Sequence, residues 1–332
     1  MQPIAIIGAG GWGTALAITM GRAERRVRLW AYESYLVETI RATRENPLYL
    51  AGVRIPESVL VTNSIDEALS GARIVIMAVP SHLFRSVIDR MITHLQSEML
   101  FVSAAKGIEN GTLMRMSEVV TDSVGTQFTP RVAAISGPTF AAEVAAGEPT
   151  ALVVASPDEE LRLLIQKELS TPRFRLYTNA DIIGVEIGAA VKNIIAIGSG
   201  VIEGLGLGSN ATAALVTRGL TEITRLVVAC GGQKETLSGL AGLGDLVLTA
   251  YGRLSRNRQV GILLGQGRSI ADITSSMRMV AEGVQTARST VELARRLGVE
   301  MPIAEKMYSV LHEGLKPQDA IGDLMERRLR EE

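Results

Sequence analysis

Short apolar runs alternate with stretches of helical spacing through the first half of the chain. Residues 4–7, 27–30, 74–79, 100–103, 132–135 and 151–155 are apolar almost without interruption and rich in β-branched side chains. Strands are apolar on both faces when helices cover both sides of their sheet, and strands that alternate with helices predict parallel pairing. The pattern therefore predicts an α/β domain built on a doubly wound sheet over residues 1–178. Beyond Tyr177, Ala, Leu, Ile and Gly recur at helical spacing and no convincing strand follows, which predicts an all-α domain over residues 179–332. Asn179, Ala180 and Asp181 stand where short polar side chains can cap its first helix.

Composition narrows the picture. At 332 residues the chain exceeds what one core usually organises, and 47% apolar residues suit two globular domains. Lys plus Arg number 34 against 35 for Asp plus Glu, so no whole-molecule field favours nucleic acid or an anionic membrane. Any anionic ligand must be held by local groups. The single cysteine, Cys230, cannot form an internal disulfide, and the start Met1-Gln2-Pro3-Ile4 lacks a basic leader; both predict a cytoplasmic protein. The longest apolar run, residues 182–202, is interrupted by Glu186, Lys192 and Asn193, which predicts a buried helix and no integral membrane segment. His82, His94 and His312 are scattered without paired spacing, so no metal site is expected.

The first apolar run leads into Gly8-Ala9-Gly10-Gly11-Trp12-Gly13, and Thr14-Ala15-Leu16-Ala17 then begins a helix. Gly8, Gly10 and Gly13 give the G-x-G-x-x-G spacing in its strand, turn and helix setting, the fingerprint of a Rossmann-type dinucleotide site. Glu33 follows the second strand, where an acidic residue can reach the adenine ribose; it can equally be a solvated loop carboxylate. No arginine stands between Trp30 and Leu36 to meet a 2′-phosphate, but Arg54 or a residue of the Arg22 to Arg28 cluster can arrive from elsewhere, so the choice between NAD and NADP stays open. His82, after the 74–79 strand, reads as pocket lining or a helix start.

Lys106 and the segment Ser136-Gly137-Pro138-Thr139-Phe140 each follow a strand at the edge where open α/β sheets bind ligands. Lys106 can contact an anionic or carbonyl oxygen, or remain a solvated loop lysine. Lys192 lies in a helix apolar nearly all round, and a buried lysine is rare unless it is paired or used. Desolvation favours its neutral amine and so suits it to proton transfer, although an ion pair with Glu186 or Asp245 would also explain it. Asn193 is next to it. Asp245 and Thr249 are four apart and share a helix face; Asp245 can hold Lys192 or a substrate hydroxyl, or cap a helix. Ser255-Arg256-Asn257-Arg258 opens another helix, where a phosphate would meet backbone N–H groups and an arginine fork, or where basic residues simply meet water. Cys230 reads as a small core residue.

Together the segments around residues 8–13, 79–82, 105–107, 136–140, 189–198, 242–249, 255–258 and 280–283 resemble the NAD(P)-dependent glycerol-3-phosphate dehydrogenases of bacterial type. The resemblance implies a helical domain of the 6-phosphogluconate dehydrogenase C-terminal kind, and interconversion of sn-glycerol 3-phosphate with dihydroxyacetone phosphate, supplying glycerol 3-phosphate for phospholipid synthesis. It implies Lys192 as proton acceptor, with Lys106, Asp245 and Thr249 completing the catalytic cluster. Substrate would be bound by Lys106, Gly137, Thr139, Lys192, Asn193, Asp245, Ser255, Arg256 and Asn257. NAD or NADP would be bound by Gly11, Trp12, Tyr32, Lys106, Ala141, Arg256, Val280 and Glu282, beside Gly8, Gly10, Gly13 and Glu33 of the fingerprint. Two departures stand out: glycine at 11 where serine is frequent, and Tyr32 where many relatives carry a basic residue. The other readings are a related hydroxyacid or 6-phosphogluconate-type dehydrogenase, and an NAD(H)-sensing protein without turnover. Homodimer formation stays open, since the apolar helices can pack on one another as well as on a second copy.

Overall fold

A computed structural model describes residues 2–277 and 281–328. The chain divides into two compact units, one of residues 1–106 and 114–186, the other of residues 107–113 and 187–332.

The first unit is an α/β sandwich. Its strands are β1 (Ile4–Ile7), β2 (Val27–Trp30), β3 (Glu45–Asn46), β4 (Leu50–Arg54), β5 (Val59–Thr62), β6 (Ile74–Met77), β7 (Leu100–Ser103), β8 (Arg131–Ser136), β9 (Thr150–Ala155) and β10 (Phe174–Asn179). Eight of them form one sheet in the order β10-β9-β8-β7-β6-β1-β2-β5, while β3 and β4 make a separate antiparallel ribbon. The chain order reverses between β1 and β6, which is the switch point of a doubly wound sheet. β1 and β6 are buried along their whole length, and the two faces of the sheet carry separate apolar clusters, one around Ile6, Leu16 and Leu29, the other around Ile7, Phe84 and Phe101.

All six expected strands are present, with two differences. Pairing is parallel except between β8 and β9, which run antiparallel, and the 74–79 strand ends two residues early at Met77. The sheet also gains β5 and β10 at its two edges. Each exposes part of its length, β10 alternating buried with open positions, so neither has the continuous apolar signature of a central strand.

The second unit is helical among its described residues. The longest helix, Ile182–Gly204, starts in the last residues of the first unit and continues from Ile187 in the second. Asp181 caps it, accepting from the Gly184 N–H at 2.8 Å, and Asn179 accepts from the Asp181 N–H at 2.8 Å. This helix is long and apolar enough to cross a membrane, but its most apolar stretch is 89% buried within the protein. Its glycines set the packing. A Cβ on Gly200 would lie 1.9 Å from the Arg258 carbonyl oxygen, and one on Gly261 would lie 1.9 Å from the Ile197 carbonyl oxygen. With Gly204 and Gly265 one turn further on, the backbones of Ile182–Gly204 and Arg256–Gly265 meet directly, as small residues four apart permit. Gly283, at the start of helix Glu282–Leu297, would likewise place a Cβ 2.8 Å from the Asn193 carbonyl oxygen.

Candidate active site

The dinucleotide fingerprint is built from backbone. Gly8 has φ of +115°, and an added Cβ would sit 2.7 Å from the Ala78 carbonyl oxygen, so the turn after β1 accepts only glycine. A Cβ on Gly13 would lie 1.8 Å from the Gly8 carbonyl oxygen; the helix Gly11–Arg22 packs on the turn with no room for a methyl group. Gly10 differs. A Cβ there meets no atom of the chain within 4 Å, so internal packing does not demand glycine, whereas close approach of a pyrophosphate does. Gly10 caps the helix without a side-chain bond and no acidic residue lies in the first turn, which leaves N–H groups and the positive end of the dipole for an anion. The indole N–H of Trp12 is buried with no hydrogen-bond partner. A dinucleotide fits these features.

The residue at position 11 has a packing reason. A Cβ there would lie 3.1 Å from the Tyr49 carbonyl oxygen and 3.7 Å from the Ala141 Cβ, so serine would press on the segment that follows β3. Asn46 holds that segment down, and nothing local in the sequence marked it. Fully buried, it donates from Nδ2 to the Ala9 carbonyl and to Thr14 Oγ1, both at 2.8 Å, and accepts the Tyr49 N–H at 3.1 Å.

Glu33 immediately precedes helix Ser34–Thr43, and its Oε1 accepts from the Tyr49 hydroxyl at 3.0 Å. Burial, with that hydrogen bond and the carboxylate charge, pushes the Tyr49 phenol up to about 12. Tyr32 is 69% exposed, its ring set edge-on to Trp30 at 6.3 Å. His82 is exposed in a single 3-10 turn, Ser81–Leu83, the helix-start alternative of the sequence reading.

Lys106, Gly137 and Thr139 come together in the same unit. Lys106 Nζ and Thr139 Oγ1 each donate to the Gly137 carbonyl at 3.1 Å. Gly137 has φ of +149°, and a Cβ on it would lie 2.8 Å from Leu152 Cα, which fixes glycine where β8 ends. Ala141 opens the helix Ala141–Ala146 just beyond.

The second unit surrounds an amine. Lys192 is 4% exposed, Asp245 1% and Thr249 6%. Lys192 Nζ donates to Asp245 Oδ1 and, at 2.5 Å, to Thr249 Oγ1. Thr249 Oγ1 also donates to the Asp245 carbonyl at 2.6 Å. Of the two carboxylates the sequence offered, Asp245 is thus the partner. Glu186 instead belongs to the first unit, where it takes bonds from Arg115 and from the N–H and hydroxyl of Ser117. Burial pushes the Glu186 carboxyl up, opposed by those donors. Asp245 does not cap a helix, because a π turn, Leu240–Gly244, runs directly into Asp245–Tyr251.

Beside the amine, Asn193 Oδ1 accepts from Asn257 Nδ2 at 2.9 Å, and Asn257 Oδ1 accepts the Gly283 N–H at 3.0 Å. This chain of bonds ties three helices at the glycine contacts described above. Ser255 caps Arg256–Gly265 by accepting the Arg258 N–H at 3.2 Å. Arg256 is exposed as a residue, yet desolvation lowers the pKa of its guanidinium while Glu282 pulls the other way. Val280 lies outside the described residues.

The family model described as NAD-dependent glycerol-3-phosphate dehydrogenase N-terminus matches residues 3–162, and the corresponding C-terminus model matches residues 181–322. A glycerol-3-phosphate dehydrogenase, NAD(P)+, of Koribacter versatilis (strain Ellin345) is 56% identical over 329 residues, covering 98% of both chains. One from Geobacter sulfurreducens (strain ATCC 51573 / DSM 12127 / PCA) is 50% identical over 331 residues, covering 100% of this chain and 99% of its own. The crystal structure of glycerol-3-phosphate dehydrogenase from Coxiella burnetii superposes with a TM-score of 0.94 at 42% identity, covering 98% of this chain and 99% of its own. A 3-hydroxyisobutyrate dehydrogenase from Mycobacterium tuberculosis, at 13% identity and a TM-score of 0.54, shares the fold alone. With two family models spanning most of its length and relatives matching end to end, the chain belongs to the NAD-dependent glycerol-3-phosphate dehydrogenase family.

Proposed function

We propose that the chain interconverts sn-glycerol 3-phosphate and dihydroxyacetone phosphate with NAD or NADP. The observation that carries this reading is the buried Lys192 amine held by Asp245 and Thr249, in a chain whose full-length relatives bear that dehydrogenase name.

Residues 1–178 form the nucleotide domain and residues 179–332 the substrate and catalytic domain. Gly8, Gly10, Gly11, Trp12 and Gly13 receive the pyrophosphate, Tyr32 and Glu33 the adenosine, and Lys106, Ala141, Arg256, Val280 and Glu282 complete the cofactor contacts. The bound nicotinamide supplies or accepts the hydride. Lys192 handles the proton: as an ammonium it gives one to the carbonyl oxygen of dihydroxyacetone phosphate, and as an amine it takes one from the alcohol of glycerol 3-phosphate. Asp245 balances the ammonium charge, and Thr249 fixes the direction of Nζ. Exclusion of water from this cluster strengthens each of these interactions. Lys106, Gly137, Thr139, Asn193, Ser255, Arg256 and Asn257 hold the substrate, with Arg256 and Asn257 on the phosphate, where a charge-assisted fork orients a molecule too small to orient itself. The protein works in the cytoplasm and provides glycerol 3-phosphate for phospholipid synthesis.

Loss of NADH absorbance on adding dihydroxyacetone phosphate tests the reading. Turnover with that ketone, and none with 6-phosphogluconate or short hydroxyacids in the reverse direction, is expected. Turnover with a hydroxyacid and none with either three-carbon phosphate would overturn it.

A further inference from the structure

Arg90 lies on the helix that follows β6, Phe84–Met91. Its guanidinium carbon stands 5.3 Å from the centre of the Tyr32 ring and 5.5 Å from that of Trp30. Trp30 ends β2 and Tyr32 follows it at the carboxyl edge of the sheet. Attraction to the two rings holds the guanidinium at that edge, and contact with a π-system uses none of its five N–H donors in a hydrogen bond to oxygen. About sixty positions of sequence separate Arg90 from Tyr32, so the local absence of a basic residue after β2 conceals the one that folding brings there.

In sheets of this kind the residues just past the second strand meet the adenine ribose. A carboxylate there bonds the 2′-hydroxyl, and an arginine nearby accommodates a 2′-phosphate. Both chemistries stand at this edge. Glu33 alone would repel a 2′-phosphate, although one of its oxygens already takes the Tyr49 hydroxyl. The guanidinium over Tyr32 supplies the opposing charge and a planar fork that matches phosphate oxygens. The rim is braced by Asn63, whose Nδ2 donates to Ser34 Oγ at 2.8 Å and whose carbonyl takes the Trp30 Nε1–H at 3.0 Å. Because the Ser34 oxygen is the acceptor in the first of these bonds, its own proton is directed elsewhere.

We propose that Arg90 is the residue through which this chain accepts the adenosine 2′-phosphate of NADP, so that one site serves both dinucleotides. The inference rests on the dehydrogenase reading above and assigns the group that sets its cofactor range.

The test compares wild type, Arg90→Gln and Arg90→Lys in two measurements. One is the ratio of kcat/KM with NADPH to that with NADH; the other is direct calorimetric binding of 2′,5′-ADP and of 5′-ADP, which needs no turnover. Losing a charged hydrogen-bond fork should lower the NADPH-to-NADH ratio of Arg90→Gln by about tenfold or more, with a matching fall in 2′,5′-ADP affinity relative to 5′-ADP. Arg90→Lys, which keeps the charge without the fork, should fall between. Equal losses for both nucleotides would mean that Arg90 only covers the adenine, and unchanged ratios would mean that it does nothing there; either overturns the assignment while leaving the dehydrogenase reading intact. Wild-type protein that binds neither nucleotide overturns both.

Discussion

The glycine turn after β1 and the lysine cluster of the helical unit use side chains in opposite ways. At the turn the chain removes them: Gly8, Gly11 and Gly13 let backbone approach backbone, while Gly10 leaves the way to the helix N–H groups open for an anion. Around Lys192 it wraps one long side chain in a mostly apolar helix and supplies two oxygen partners from a second helix. The first arrangement has no room for an added atom at Gly8 or Gly13, and the second tolerates almost no lost one. Truncating one member of a buried charged pair typically costs about 3–5 kcal/mol, because its partner stays buried and uncompensated.

The comparison breaks most sharply at Gly13. In Gly13→Ala the new methyl group would lie 1.8 Å from the Gly8 carbonyl oxygen, so soluble folded protein and dinucleotide binding should be lost together; a variant with native melting behaviour and cofactor affinity would refute the packing argument. Gly10→Ala sharpens it, since its methyl group meets nothing of the chain within 4 Å. That variant should melt like wild type in calorimetry yet bind NADH roughly tenfold or more weakly, because only the ligand's approach is obstructed.

A smaller effect concerns a buried carboxyl of the helical unit that lies apart from the amine cluster. Glu222, on helix Ser209–Ala229, is 2% exposed and accepts the N–H groups of Ile303 at 2.9 Å and Ala304 at 3.3 Å, at the start of helix Pro302–His312. Burial pushes its carboxyl up to about 7 from an ordinary 4.5, against those N–H donors and Arg225. A raised carboxyl binds its proton more tightly folded than unfolded, so its contribution to stability is complete below about 4.5 and is lost as pH rises through 7. Between pH 5 and pH 8 the melting temperature of wild type should therefore fall more than that of Glu222→Gln. Parallel curves would show that this carboxyl titrates normally.

The two regions also differ in how much of them was legible. The central strands and the glycine fingerprint are local signals, so residues 4–13 disclosed strand, turn, helix and chemistry at once. β5 and β10 escaped because edge strands carry polar and exposed positions. Lys192 announced itself by contrast with its apolar helix, but its partner did not. Glu186 and Asp245 were equal candidates until folding gave Glu186 to Arg115 and Ser117. The close approach of Ile182–Gly204 to Arg256–Gly265 was written in glycines four apart, Gly200 with Gly204 and Gly261 with Gly265, yet each pair has meaning only when the other faces it. Asn46 and Arg90 gave no signal at all, since their partners are distant in sequence or lie on backbone.

The central claim is that the Lys192 amine carries the proton of the reaction. Steady-state reduction of dihydroxyacetone phosphate by Lys192→Ala, on protein confirmed to be folded and to bind NADH as tightly as wild type, tests it most directly. Loss of a positioned acid–base group should lower kcat by about a thousandfold, within the ~10²–10⁴ span of such catalysis. A variant that keeps its cofactor affinity and turns over within about tenfold of wild type would contradict the account, because the proton would then travel by another route.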